Sequence, residues 1–161
     1  MYAIYKQKNY RANKLFKGHV TLYSYSQDEG FENYVSPRGE VSYDFFTKAV
    51  DIHELDYLYE IDYEIQYKGH FYIFKNGDFT KRAIAEEAFY ILSDDISNAK
   101  FFKSLGFTRS DKFYFDKKIS RSDIEAIKII EKPLGIFKDR GLKVKIIEGE
   151  DIDEFLASVE E

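Results

Sequence analysis

The sequence predicts an α+β fold on a mainly antiparallel sheet, with a long central hairpin at about residues 55–75. Three to four helices are expected, mostly in the C-terminal half. Three observations carry this prediction. Every odd position from 55 to 67 is apolar or aromatic: Leu55, Tyr57, Tyr59, Ile61, Tyr63, Ile65 and Tyr67. Seven matches to period two describe a strand with one buried and one wet face. Loop signals punctuate the first half, at Gln27-Asp28-Glu29-Gly30 and Ser36-Pro37-Arg38-Gly39. Capping residues followed by apolar side chains at helical spacing recur after residue 94.

The elements follow in order. Tyr2, Ile4 and Tyr5 suit a short strand over residues 2–7, and Val20, Leu22, Tyr23 and Tyr25 suit another at about 19–25. Between them, residues 9–18 are polar and basic, which reads as a loop or flap. A third strand is expected over 43–50. In the hairpin, Lys68-Gly69 separates the long strand from a return strand over 70–75. A two-residue turn there sets Asp62 opposite Lys75, although lysine suits a left-handed turn position poorly. Ile84, Ala85, Ala88, Ile91 and Leu92 fit a helix with Thr80 as N-cap, while Phe79-Thr80 and Phe89-Tyr90-Ile91 offer strands as the alternative. Phe101, Phe102 and Leu105 mark a second helix, closed by Gly106. Residues 112–119 read as a strand. Ser122 and Glu125 form a capping box for a helix carrying Ile124, Ile127 and Ile130, which stops before Pro133. A strand over 142–147 and a last helix bearing Ile152, Phe155, Leu156 and Val159 complete the chain.

Composition sets the outer bounds. The 161 residues are 44% apolar, 33% charged and 18% aromatic, enough for one globular domain over 1–161, and no linker or repeat is visible. With no cysteine, disulfides, thiol catalysis and cysteine-bearing metal sites are excluded. No apolar run approaches the ~18 residues of a membrane span, and the N-terminus lacks the apolar core of a secretory signal. A cytoplasmic protein with no membrane partner is expected.

Charge is segregated. Residues 1–27 carry five bases and no acid, residues 28–97 carry 16 acids against 6 bases, and residues 98–147 carry 13 bases against 6 acids. The last fourteen residues hold seven acids and no base. Such blocks either neutralise one another at the surface or create a face that steers a charged partner.

Two candidate surfaces emerge. Asp56, Glu60, Asp62 and Glu64 occupy even positions of the long strand and form an acidic row suited to a basic protein. In the N-terminal block Lys6, Lys8, Arg11, Lys14 and Lys17 interleave with aromatics such as Tyr10, a combination that single-stranded nucleic acid binding uses. Other chemistry finds little footing. His19, His53 and His70 lack ligand spacing, so no metal site is expected, and neither phosphate-binding glycine loop occurs, so no cofactor is expected. The run Asn98–Phe107 resembles the helix-to-strand step of a family of coenzyme A-dependent acetyltransferases, but that family's coenzyme A loop is missing from the chain. The expected function is therefore a non-enzymatic, inhibitor- or immunity-like binding protein, monomeric or weakly dimeric, recognising a basic protein through its acidic row. The alternative is a nucleic-acid-binding or nucleic-acid-processing protein using the basic aromatic block.

Overall fold

The structure is a computed structural model that describes residues 1–160, and of Lys14 and Leu15 only the backbone. Strands dominate it: twelve among the described residues account for 47% of the chain, against 22% helical. This corrects the expected α+β balance. The molecule is mostly antiparallel sheet, and its three α-helices have only five, six and eight residues.

The chain divides into two compact units. The first comprises Met1–Ile61 and Glu131–Leu142, and the second Asp62–Ile130 and Lys143–Glu161. The first unit contains β1 (Tyr2–Tyr5), β2 (Lys8–Phe16), β3 (His19–Ser24), β4 (Glu32–Val35), β5 (Val41–Asp51) and the start of β6 (Tyr57–Tyr67). Their order is β4-β5-β3-β2-β1-β6. One sheet face carries the core: Ala3, Tyr5, Tyr10, Val20, Leu22, Phe46, Val50 and Leu58 are all buried. The stretch read as a loop over 9–18 is therefore mostly strand β2. It pairs with β1 on one side and β3 on the other, and its buried Tyr10 is followed by a half-buried Ala12 two positions on.

In the second unit the order is β6-β7-β8-β10-β9, with β7 at His70–Phe74, β8 at Phe89–Ser93, β9 at Thr108–Arg109 and β10 at Phe115–Ile119. β11 (Ala126–Pro133) pairs with β6 and with β12 (Lys143–Glu148). The core is ring-rich: Phe74, Phe79, Phe89, Phe102, Phe107 and Phe115 pack around Ile65, Ile91 and Ile127. The helix α3 (Glu150–Ala157) adds Ile152 and Leu156 to it.

Two predicted helices become strands for local reasons. The segment 80–92 starts as α1 (Lys81–Ala85), where the Thr80 hydroxyl accepts from the Ala83 amide at 3.1 Å. Glu87 then takes a left-handed conformation, with φ of 46°, and the chain leaves as β8, burying Phe89 and Ile91 and exposing Tyr90. The segment after Ser122 makes one 3-10 turn, Arg121–Asp123, capped by Ser120 and Asp123, and continues as β11. Isoleucines at helical spacing there pack in a sheet. The hairpin keeps its two-residue turn, with Tyr67 opposite His70 and both Lys68 and Gly69 left-handed, at φ of 47° and 81°.

Candidate interaction face

The strand register of the first unit sets one row of side chains across six strands. Tyr59 faces Tyr2, Tyr2 faces Arg11, Arg11 faces Tyr23, Tyr23 faces Thr47, and Thr47 faces Glu32. Directly opposite residues project to the same side of a sheet, so this row lies on the face opposite Ala3, Leu22 and Leu58, and its β6 end is covered, with Tyr59 only 7% exposed. At ~4.8 Å between strands it spans about 24 Å.

Rings rather than charges dominate this side. Phe45 is a hub: Tyr23 stacks on it at 5.5 Å between centroids, Tyr25 approaches at 5.2 Å, and Tyr34 meets it edge-on at 5.5 Å. Tyr25 is 78% exposed, and Tyr43, two positions before the hub on β5, is 83% exposed. At the other end Tyr2 stacks on Tyr59 at 5.6 Å, and the Arg11 guanidinium sits 5.9 Å from the Tyr2 ring centre. The Asn13 amide donates to the Tyr23 hydroxyl at 3.2 Å, fixing that ring from the neighbouring strand. The sheet ends in β4, a four-residue edge strand. A wet sheet face is ordinarily polar. Here the exposed Tyr25 and Tyr43 flank the half-buried Tyr23, Tyr34 and Phe45 instead. The chemistry on offer is binding: flat apolar area from the tyrosines and Phe45, with donors from Arg11 and Asn13 to fix orientation.

The residues singled out in the sequence fall elsewhere or are engaged. Asp56 precedes β6 and its carboxylate accepts the Gln7 amide at 3.0 Å, holding the left-handed turn between β1 and β2. Glu60 is half-buried in the first unit. In the second unit Asp62 is exposed, while Glu64 is bound by the Lys128 ammonium at 2.8 Å. Lys75, just past the end of β7, pairs with Asp116 of β10.

The basic block divides as well. Lys6 lies 3.8 Å from Glu29, and Lys8 binds Asp28 at 2.7 Å. Tyr10 is buried, stacks on Phe31 at 5.1 Å and donates to Asp28 at 3.0 Å. Burial first, and the Asp28 hydrogen bond second, push its phenol up to about 12. Asp28 in turn is held below the usual carboxylate range, chiefly by Lys8. Lys17 is exposed beside the ring of Phe16 at the β2–β3 turn. The side chain of Lys14 lies outside the described residues. Among the described side chains of this block, Arg11 is the one on the aromatic face. Among the described residues no group of three or more histidine or acidic side chains could hold a metal ion.

The aromatic face was missed because its rings come from five strands far apart in the chain. The available signal was the run of tyrosines at odd positions 23, 25 and 43, each one step out of phase with the buried residues Leu22, Ser24 and Phe46.

A mostly antiparallel, sheet-built protein with an aromatic cluster on the outer face of its first unit is the class these observations define. The chain belongs to the family described as uncharacterised conserved protein UCP033725, whose model matches residues 1–135, a span that takes in the whole aromatic face. No curated protein and no solved structure matches it. Among the described residues no helix is long and apolar enough to cross a membrane.

Proposed function

We propose that the protein is a binding protein that docks a partner protein on the aromatic face of its first unit. One observation carries the reading: Tyr23, Tyr25, Tyr34 and Phe45 form one cluster on the side of the sheet away from the core, beside the exposed Tyr43. Protein interfaces concentrate tyrosine, phenylalanine and arginine and deplete other charges at their centre. The six-strand row has that composition, with Arg11 and Glu32 as its only charged members. The fitting partner therefore presents an apolar, weakly charged surface. The expected cytoplasmic setting travels with this proposal.

The acidic row supports recognition of a basic protein less well, since Asp56 and Glu64 already hold groups of this chain. Nucleic acid fits less well too. Phosphate binding needs several free cations, whereas Lys6 and Lys8 face acids.

The test is a comparison of the wild type with the double variant Tyr25→Ser, Tyr43→Ser. Partners captured by cross-linking are identified, purified and titrated against both proteins. The reading expects a purified protein whose affinity drops at least about tenfold in the variant, a typical loss on truncating central interface rings. A 20-nucleotide single strand that binds the wild type and not the variant would reassign the face to nucleic acid. Sedimentation showing a wild-type dimer lost in the variant would reassign it to self-association.

A further inference from the structure

The second unit carries a strand whose outer edge is open. β12 pairs with β11 and, among the described residues, with no other strand. The strands at the other two open ends of the sheet are short, four residues in β4 and two in β9, whereas β12 has six. Sheets avoid unwanted pairing by shortening or charging their edges. β12 departs from that pattern. Lys143, Val144, Lys145 and Ile146 are all exposed, Val144 at 57% and Ile146 at 49%, and Ile147 alone anchors the strand in the core.

Strand alternation sorts these side chains. Val144, Ile146 and Glu148 share one side, and Lys143, Lys145 and the buried Ile147 share the other. Between the two sides, every second residue turns its amide and carbonyl away from β11. Among the described residues no backbone hydrogen bond to another element takes these groups up. The edge thus offers a ladder of donors and acceptors flanked by an aliphatic pair on one side and cations on the other.

That pattern selects its occupant. A two-fold antiparallel pairing that sets Val144 against Ile146 of a second copy also sets Lys145 against Lys145, and like charges directly opposite destabilise a pair. Lys145 enters no ion pair among the described residues. The strand's own acid, Glu148, projects to the opposite side. A carboxylate on an added strand complements Lys145 where a second copy repels it.

We propose that β12 takes up an extended segment of a partner protein in which acidic and apolar residues alternate. Backbone hydrogen bonds continue the sheet by one strand, the segment's apolar residues lie beside Val144 and Ile146, and a carboxylate stands opposite Lys145. The proposal is independent of the aromatic face in the first unit.

The experiment titrates the isotope-labelled full chain with two capped peptides of about eight residues, a common strand length. One alternates glutamate and valine, the other lysine and valine. The glutamate peptide is expected to saturate below about 1 mM, and the lysine peptide to bind at least about fivefold more weakly. Amide hydrogen exchange should slow at alternate residues of β12, which a strand added along the edge produces and contact with a sheet face does not. Lys145→Glu, at an exposed site, should weaken the glutamate peptide by about fivefold and strengthen the lysine peptide. No saturation below about 1 mM, equal affinity for the two peptides, unchanged affinity in Lys145→Glu, or exchange that slows elsewhere and not in β12 would each overturn the proposal. A wild-type dimer lost in Ile146→Lys would overturn it too, giving the edge to a second copy.

Discussion

The rings of Tyr23 and Phe45 lie almost parallel, one from β3 and one from β5, with 5.5 Å between centroids and 7° between planes. They do so on the outer side of the sheet, where both rings are half-buried. Phe45 also touches Tyr25 and Tyr34, so removing it unsupports three rings at once.

Phe45→Ala is expected to cost about 1–3 kcal/mol, less than a fully buried phenylalanine, because aromatic pairs add about 0.5–1.5 kcal/mol each to a half-exposed site. Tyr43→Ser should change stability by less than about 0.5 kcal/mol, as exposed substitutions do. Urea midpoints at constant slope measure both. A Tyr43→Ser loss as large as that of Phe45→Ala would make Tyr43 part of the fold rather than a contact residue.

How much of this was legible depends on how many strands a feature spans. β6 could be read directly, because its tyrosines and isoleucines keep one period for eleven positions. The hairpin register followed from it, and Tyr67 does face His70. β11 was misread as a helix because Ile124, Ile127 and Ile130 satisfy helical spacing, while Ala126 and Ile127 are both buried and erase the alternation. β2 was misread because Asn9, Arg11 and Asn13 put a polar face on the same side as Tyr2 of β1 and Tyr23 of β3. The aromatic row needs the pairing of six strands, and no local pattern encodes pairing.

Asp28 and Tyr10 predict opposite pH limits. The Asp28 carboxyl is lowered by Lys8, so it stabilises the fold above the ordinary value of 3.8, and that contribution is lost as pH falls through the lowered value. The Tyr10 phenol is raised from 10.0 to about 12, so its contribution is full below 10 and is lost as pH rises toward 12. Tyr57 and Tyr72 are also raised, mainly by burial, and add to the alkaline loss. Urea midpoints from pH 9 to 11.5 should therefore fall in the wild type and fall less steeply in Tyr10→Phe. An unchanged slope in that variant would remove Tyr10 from the account.

Lys75 and Asp116 form a partly buried ion pair, with Asp116 only 9% exposed. Burial alone would raise the Asp116 carboxyl, but hydrogen bonds from Lys75, Ser110 and Thr108 outweigh it and hold the group below its usual range. Removing the lysine leaves a buried carboxylate short of donors. Lys75→Met is therefore expected to destabilise by about 1–3 kcal/mol, and Lys75→Met with Asp116→Leu by less than the sum of the two single changes. The double-mutant cycle measures this, and strict additivity would show that the pair is not coupled.

Lys68 and Gly69 occupy the two central positions of the β6–β7 turn, both with positive φ. Glycine takes that conformation freely, but lysine there pays for its Cβ against the following carbonyl. The turn needs φ above zero at both positions, which is why asparagine followed by glycine is the favoured pair. Nothing lies within 4 Å of a Cβ added at Gly69, so space is not what excludes a side chain there. Conformation alone decides both changes. Lys68→Asn is expected to stabilise the protein by a few tenths to about 1 kcal/mol, and Gly69→Ala to destabilise it by about 1 kcal/mol. Thermal unfolding of the two variants beside the wild type should order them asparagine, wild type, alanine. If Lys68→Asn lowered the midpoint instead, the cation–π contact of Lys68 with Tyr67, at 5.4 Å from the ring centre, would outweigh the backbone strain.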